Sequence, residues 1–203
     1  LDVYENDLNE ISEPFRFVEV YPMDDSGEVF AVVPKTEASQ FGALPIVEGK
    51  KIIFNAIGEG DIADYAHLCR SDKVNRLYGN DYRDDYGDAP DTALFGRMEF
   101  EVMSGISSTF AIRHEGKFAG EAVIFGFDYV GGAKVAIRLL PEFWGLGIGS
   151  EALELLLFVA EKFDLKRVST AVKKENVPSI KMTGKFMDYK REEDDTVIFE
   201  KTF

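Results

Sequence analysis

The sequence predicts a mixed α/β fold of the α+β kind, a mostly antiparallel central sheet flanked by helices and preceded by a short N-terminal β-hairpin. Three observations carry this expectation. Alternating apolar patterns at 109–113, 118–127 and 134–140, divided by a turn at HEGK and another near Val130 to Gly132, read as a three-stranded meander. A glycine-rich break, PEFWGLGIGS from Pro141 to Ser150, joins the last of these strands to an apolar helix. The remaining segments complete the order β, α, α, βββ, α, β, α, ββ, which places helices on a sheet rather than in a bundle.

The elements follow from local chemistry. Residues 1–13 are acidic and without period, a loose lead-in. Phe15 to Tyr21 and Glu28 to Val33 alternate around the turn sequence DDSG and read as a hairpin. Pro34 to Gly49 holds Gly42, Pro45 and Gly49 without periodicity and reads as a linker, so the chain divides into an appendage at 1–49 and a domain at 50–203. The appendage is expected to add to a sheet edge or cover one. Ile52 to Ile57 is a strand, and Asp61 is placed to cap a helix to Arg70 whose inner face is Ile62, Tyr65, Ala66 and Cys69.

Tyr78 to Pro90, rich in Gly, Asp and Tyr, is either a solvated acidic loop or a lid whose tyrosine faces and carboxylates suit an ammonium group. Asp91 is placed to cap a second helix to Met103, with Leu94, Phe95, Met98 and Val102 inward. After the meander and glycine loop, Glu151 to Phe163 is apolar all round, as expected of a helix buried on a sheet. Arg167 to Val172 is a strand and Ser179 to Lys185 a short helix. Asp188 to Glu192 and Thr196 to Thr202 close the chain as a hairpin.

Composition narrows the function. With 23 Lys and Arg against 37 Asp and Glu among 203 residues, the net charge of −14 argues against nucleic acid and anionic membranes as partners. A cationic partner fits better, and a homodimer is left open. Cys69 is the sole cysteine and His67 and His114 the only histidines, so no disulfide framework or zinc site is expected and a reducing cytoplasm is the natural setting. The longest apolar run, LELLLFVA, is too short to span a bilayer. The chain begins at Leu1 rather than Met, as a piece of a longer protein would.

Gly145, Gly147 and Gly149 alternate with Leu146 and Ile148 just before a helix. A strand that breaks there leaves backbone N–H groups unpaired at the positive end of the helix dipole, which is an anion cradle. A tight turn with small residues for close packing is the plainer alternative. A triphosphate loop needs Lys then Ser or Thr after its last glycine, but Ser150 and Glu151 follow here. A dinucleotide fingerprint needs GxGxxG after the first strand of a parallel βαβ unit, and GLGIG follows a meander. Coenzyme A, with its pyrophosphate on the loop, is the third option.

The stretch from AKVAIRLLPEFWGLGIGS through SEALELLLFVAEKF to ENVPSIKM resembles the core of the GNAT acetyltransferase superfamily, in the branch containing ribosomal-protein N-terminal acetyltransferases. Pro141, Glu142, Trp144, Gly145, Gly147, Glu151, Ala152, Leu153, Asn176 and Ser179 carry the match, and the similarity covers about 50–203. Trp144 stands where the wider superfamily has Arg or Gln. The resemblance implies acetyl-CoA as co-substrate, no metal, and pyrophosphate on the amides of Gly145, Leu146, Gly147, Ile148, Gly149 and Ser150. It implies a splay between the strands at 134–140 and 167–172, with unpaired amides near Leu139 and Leu140 in an oxyanion-type role. Asn176 and Ser179 would lie close to the pantetheine and sulfur, and a helix cap is their simpler role.

The implied reaction is acetyl transfer to a primary amine, a small cationic amine or a peptide or protein N-terminus, by direct attack in a ternary complex. A lysine-like amine is neutral at pH 7 about once in 2,500 molecules, a cost of roughly 4 to 5 kcal/mol, whereas an α-amine costs only about 1. Glu121, between apolar neighbours on its strand, is the candidate base, its plainer alternative being an edge-facing or paired Glu; Glu99 and Glu101 are weaker candidates. Ser179 is the candidate proton donor to the departing thiolate, with Tyr189 a distant alternative. Lys134 and Thr183 stand where relatives carry catalytic Glu and Tyr, and Met187-Asp188 replaces the usual Gly-Phe. These departures keep a non-catalytic acyl-CoA-binding or regulatory module as the alternative.

Overall fold

A computed structural model describes residues 15–20, 29–34, 44, 46–79, 81, 83, 96, 98, 100–102, 105–128 and 130–203. Strands β1 (Phe15–Val20) and β2 (Val29–Pro34) pair antiparallel with each other as the expected hairpin, in a two-stranded sheet of their own. They therefore do not extend the main sheet. The DDSG turn lies outside the described residues.

The main sheet has eight strands, beginning with β3 (Val47–Glu48) and β4 (Ile52–Ala56). β3 pairs Val47 with Phe54, so the sheet starts inside the stretch read as linker. The helices α1 (Ile62–Cys69) and α2 (Asp72–Tyr78) come next. α2 was not expected, although its signals are in the sequence: the Ser71 hydroxyl accepts from the Val74 amide at 3.4 Å, and Gly79 ends the helix at φ 91°. Asp61 does not cap α1 with its side chain; Arg113 and the Gly58 amide hold its carboxylate instead.

The meander is β5 (Ser107–His114), β6 (Lys117–Phe125) and β7 (Gly132–Leu139). Then follow α3 (Ile148–Lys162), β8 (Arg167–Lys173), α4 (Val177–Thr183), β9 (Asp188–Glu193) and β10 (Thr196–Thr202). The strand order is β3-β4-β5-β6-β7-β8-β10-β9, and among the described residues only β7 and β8 run parallel. Residues 96, 98 and 100–102 are helical, with Val102 buried, whereas Leu94, Phe95 and the cap at Asp91 lie outside the described residues.

Strand alternation sends two sets of side chains to opposite faces. One set, including Phe54, Phe110, Ile112, Ala122, Ile124 and Val135, packs under Ala152, Leu153, Leu156 and Ala160 of α3. The other, including Ala111, Phe118 and the adjacent Leu140, meets Tyr65, Leu68, Cys69 and Val74 of α1 and α2. α3 is not apolar toward the core all round, because Phe158 is 47% exposed beside exposed Glu154 and Glu161. The helix lies on the sheet and keeps one face to solvent.

Candidate active site

β7 and β8 pair at three positions only, Gly132 with Arg167, Ala133 with Val168 and Lys134 with Ser169. Beyond Lys134 the strands part, leaving a cleft of about 1520 Å³ that reaches from the glycine loop and α4 across the sheet to α2. The splay expected from sequence is thus present. The parting frees main-chain groups of β7 on its β8 side. In an antiparallel ladder successive N–H groups alternate in direction, and the Leu140 amide donates to the Ala119 carbonyl at 2.9 Å. The Leu139 N–H therefore faces the β8 side, where the strands have separated. Leu140 is corrected by the same bond: its amide belongs to the β6 side and is not an unpaired donor.

The loop has the form its glycines require. Gly145 at φ 78° and Gly147 at φ 83° occupy the left-handed region that L side chains resist. α3 begins at Ile148, three residues earlier than expected, with Gly147 as N-cap and no side-chain cap. The Glu151 amide is the first to bond back, to the Gly147 carbonyl at 3.2 Å. Gly147, Ile148, Gly149 and Ser150 thus carry the four amides that a helix start leaves without an intrahelical acceptor. They sit at the positive end of a 15-residue helix. A Cβ on Gly149 would stand 3.1 Å from the Met182 sulfur, so α4 approaches the loop closely.

Trp144 braces this loop: its indole N–H donates to the Leu139 carbonyl at 2.8 Å, and the Lys73 ammonium lies 4.6 Å from the ring centroid. Leu146 projects outward, 49% exposed, and its carbonyl accepts from the Lys51 ammonium at 3.1 Å. The Asn176 side-chain oxygen accepts from the Ser179 amide at 3.3 Å, which makes it the cap of α4. Asn176, Ser179 and Ser150 all line the cleft. Four amides, a braced loop and an adjacent gap between parallel strands fit an anionic group with a narrow extended arm, the shape of coenzyme A.

Glu121 is buried, and its Oε1 accepts from Arg138 Nε at 2.7 Å and its Oε2 from the Tyr65 hydroxyl at 2.7 Å. The two ion-pair side chains are 0% and 1% exposed, and the guanidinium carbon lies 5.1 Å from the Tyr78 ring centroid. Both carboxylate oxygens are therefore held by donors, and an internal cation balances the charge. Glu121 is thus buried as expected and paired, as its plainer alternative had it, rather than free. Arg138 was missed, although the register pairing Glu121 with Arg138 follows from the meander.

Other candidates scatter. Glu101 lines the cleft and accepts from the Ser107 hydroxyl at 2.8 Å, while Glu99 lies outside the described residues. Thr183 is buried, and Tyr189 is exposed with its ring edge on Phe199, away from the cleft lining. Lys134 lines the cleft where the strands part. Of the acidic stretch after Tyr78, Gly79, Asp81, Arg83 and Tyr78 itself are described; the rest of the expected lid is outside the described residues. Hydrogen bonds from Arg83 hold the Asp81 carboxyl down to about 2, and Arg83 also reaches Asp72 at 2.7 Å. Burial pushes the Cys69 thiol up to about 11, beyond nucleophilic use at neutral pH. Among the described residues no group of His, Cys, Asp and Glu could hold a metal ion.

Residues 51–186 match the family model for the acetyltransferase (GNAT) domain. No curated protein sequence matches the chain. Among solved structures, RimJ of Mycobacterium smegmatis in complex with CoA-disulfide superposes with TM-score 0.64 at 18% identity, covering 74% of this chain and 81% of that one. The ribosomal L7/L12 α-N-protein acetyltransferase RimL, in complex with coenzyme A, gives 0.64 at 14%, covering 78% and 98%. A spermidine N-acetyltransferase from Vibrio cholerae, in complex with CoA and spermine, gives 0.63 at 12%, covering 75% and 94%. At these identities the likeness is one of fold.

Proposed function

Because the chain belongs to the acetyltransferase (GNAT) domain family, matched over residues 51–186, we propose that it moves an acetyl group from acetyl-CoA to a primary amine by direct attack in a ternary complex. The observation that carries the reading is the set of four orphan amides at the start of α3, beside the gap where β7 and β8 part. These amides bind the pyrophosphate of acetyl-CoA, which supplies the activated acetyl group. The Leu139 N–H, turned toward the gap, is placed to polarise a carbonyl there. Ser179, whose amide is held by Asn176, offers its hydroxyl to a departing thiolate.

The acceptor follows from what the cleft holds. Glu121 is committed to Arg138 and Tyr65, so it is not available to deprotonate an alkylammonium. An α-amine needs only about 1 kcal/mol to become neutral at pH 7, against roughly 4 to 5 for a lysine-like amine. The α-amine of a peptide or protein N-terminus, or of an amino acid, is therefore the acceptor the site favours over a polyamine. The catalytic unit is residues 50–203 with the edge strand at 47–48, and residues 1–49 otherwise form an appendage. Among the described residues no helix is long and apolar enough to cross a membrane, and a cytoplasmic setting suits the free thiol of Cys69.

The test is a thermal shift with CoA and acetyl-CoA, followed by thiol release across peptide N-termini, amino acids, polyamines and aminoglycosides. Stabilisation by both, with thiol release to α-amines, is expected. Absence of stabilisation by any acyl-CoA contradicts the donor site. Stabilisation without release from the whole panel favours a binding module, the reading that the replacement of the family's tyrosine by buried Thr183 supports.

A further inference from the structure

Lys51 directly precedes β4 and is distant in sequence from the glycine loop, yet its ammonium is bonded to the loop, its amide to the helix that follows and its carbonyl to β5. Its ammonium donates to the Leu146 carbonyl at 3.1 Å. Its amide donates to Glu151 Oε1 at 2.8 Å, and that oxygen also accepts from the Ile52 amide at 3.4 Å. Its own carbonyl meets His114 Nδ1 at 2.9 Å. The start of β4 is thus bonded to the loop on one side and to the first turn of α3 on the other.

The Leu146 carbonyl and the Gly147 N–H belong to one planar trans peptide and point in opposite directions. Fixing the carbonyl on Lys51 therefore fixes the N–H away from Lys51. Gly147 lines the cleft whereas Lys51 and Leu146 do not, so the cleft lies on the side of the loop away from Lys51. Gly147 at φ 83° has no Cβ to resist rotation of that peptide, and a Cβ there would lie 3.6 Å from the Lys51 nitrogen. The lysine's hydrogen bond selects one orientation of that peptide.

We propose that Lys51 is a positioning residue for the phosphate cradle: from outside the cleft, its ammonium holds the Leu146–Gly147 peptide so that the Gly147 amide faces the bound pyrophosphate. The inference rests on the reading of this cleft as a coenzyme A site. Lys51 contacts no substrate atom and acts through the peptide it holds. An N–H aimed at an anion makes a charge-assisted bond, whereas the flipped peptide would present a carbonyl oxygen to the same anion.

The experiment titrates CoA calorimetrically into wild type, Lys51→Gln and Lys51→Arg. Lys51→Gln is expected to raise Kd about 10-fold, equivalent to about 1.4 kcal/mol, and Lys51→Arg to restore most of the affinity. S-Acetylpantetheine, which lacks the pyrophosphate, is then compared as donor, and wild type and Lys51→Gln are expected to use it with the same KM. If wild type does not bind CoA, the functional reading falls and this inference with it. If wild type binds and Lys51→Gln binds as tightly, the positioning role alone is wrong. An equal loss with CoA and with S-acetylpantetheine, or no recovery with arginine, would mark a general distortion of the fold and also overturn the proposal.

Discussion

Replacing Glu121 by glutamine separates a structural carboxylate from a catalytic one. The carboxylate bonds to Arg138 and Tyr65 at 2.7 Å each, with the ion-pair side chains 0% and 1% exposed. Glutamine keeps the shape but removes the charge of Glu121 from beside the buried Arg138 guanidinium. Breaking a buried pair from one side costs about 3 to 5 kcal/mol. At roughly 2 to 4 °C per kcal/mol for a domain of this size, the unfolding midpoint should fall by about 6 to 20 °C. Urea unfolding should show the same loss in ΔG. Replacing both partners, Glu121→Leu with Arg138→Met, should recover most of it, because apolar substitution of a whole buried pair is often neutral or stabilising. Below its own midpoint the glutamine variant should keep the pH dependence of turnover. A midpoint within about 1 °C of wild type, together with loss of the acidic limb of the pH profile, would refute the structural assignment and restore Glu121 as base.

Gly120 at φ 156° lies where a Cβ would strike the Arg138 carbonyl, so Gly120→Ala should force β6 and β7 apart and lower the midpoint measurably by circular dichroism. Gly147→Ala should cost about 1 to 2 kcal/mol for placing an L residue in the left-handed region, read from urea unfolding, and should also weaken CoA binding. Asn176→Ala should destabilise by about 1 kcal/mol through loss of the α4 cap. Cys69 should resist a disulfide reagent at pH 8 in the native protein and react fully once unfolded. Its thiol pKa is raised from 9.0 to about 11, so the unfolded chain ionises first and stability should decline as pH rises from 9 to 11. Cys69→Ala should remove that part of the alkaline slope.

The fold was legible where side-chain period and turn chemistry agreed. The meander, the C-terminal hairpin and the helix after the glycines all lie within a few residues of their expected bounds. α2 was hidden because its cap at Ser71 and its stop at Gly79 enclose only seven residues, too few for a periodic signal. β3 was hidden because two residues paired through backbone bonds leave no pattern at all. In the site, the loop could be read because glycine spacing reports backbone geometry directly. The pairing of Glu121 was left undecided because a strand sequence shows its apolar neighbours along the chain but not the partner across the ladder. Had Glu121 been set against Arg138 through the register of the meander, the ion pair would have been expected. Lys51 carries no such local mark, since its contacts join residues 95 and 100 positions away.

The central claim is that the first amides of α3 receive the pyrophosphate of coenzyme A. Amide chemical shifts of 15N-labelled protein, followed through a CoA titration, test it at the atoms concerned. The largest saturable changes should fall on Gly147, Ile148, Gly149 and Ser150, and pantetheine, which has no pyrophosphate, should leave those four nearly unmoved. If CoA binds and these four signals stay in place, the phosphate cradle lies elsewhere and the account of this site is wrong.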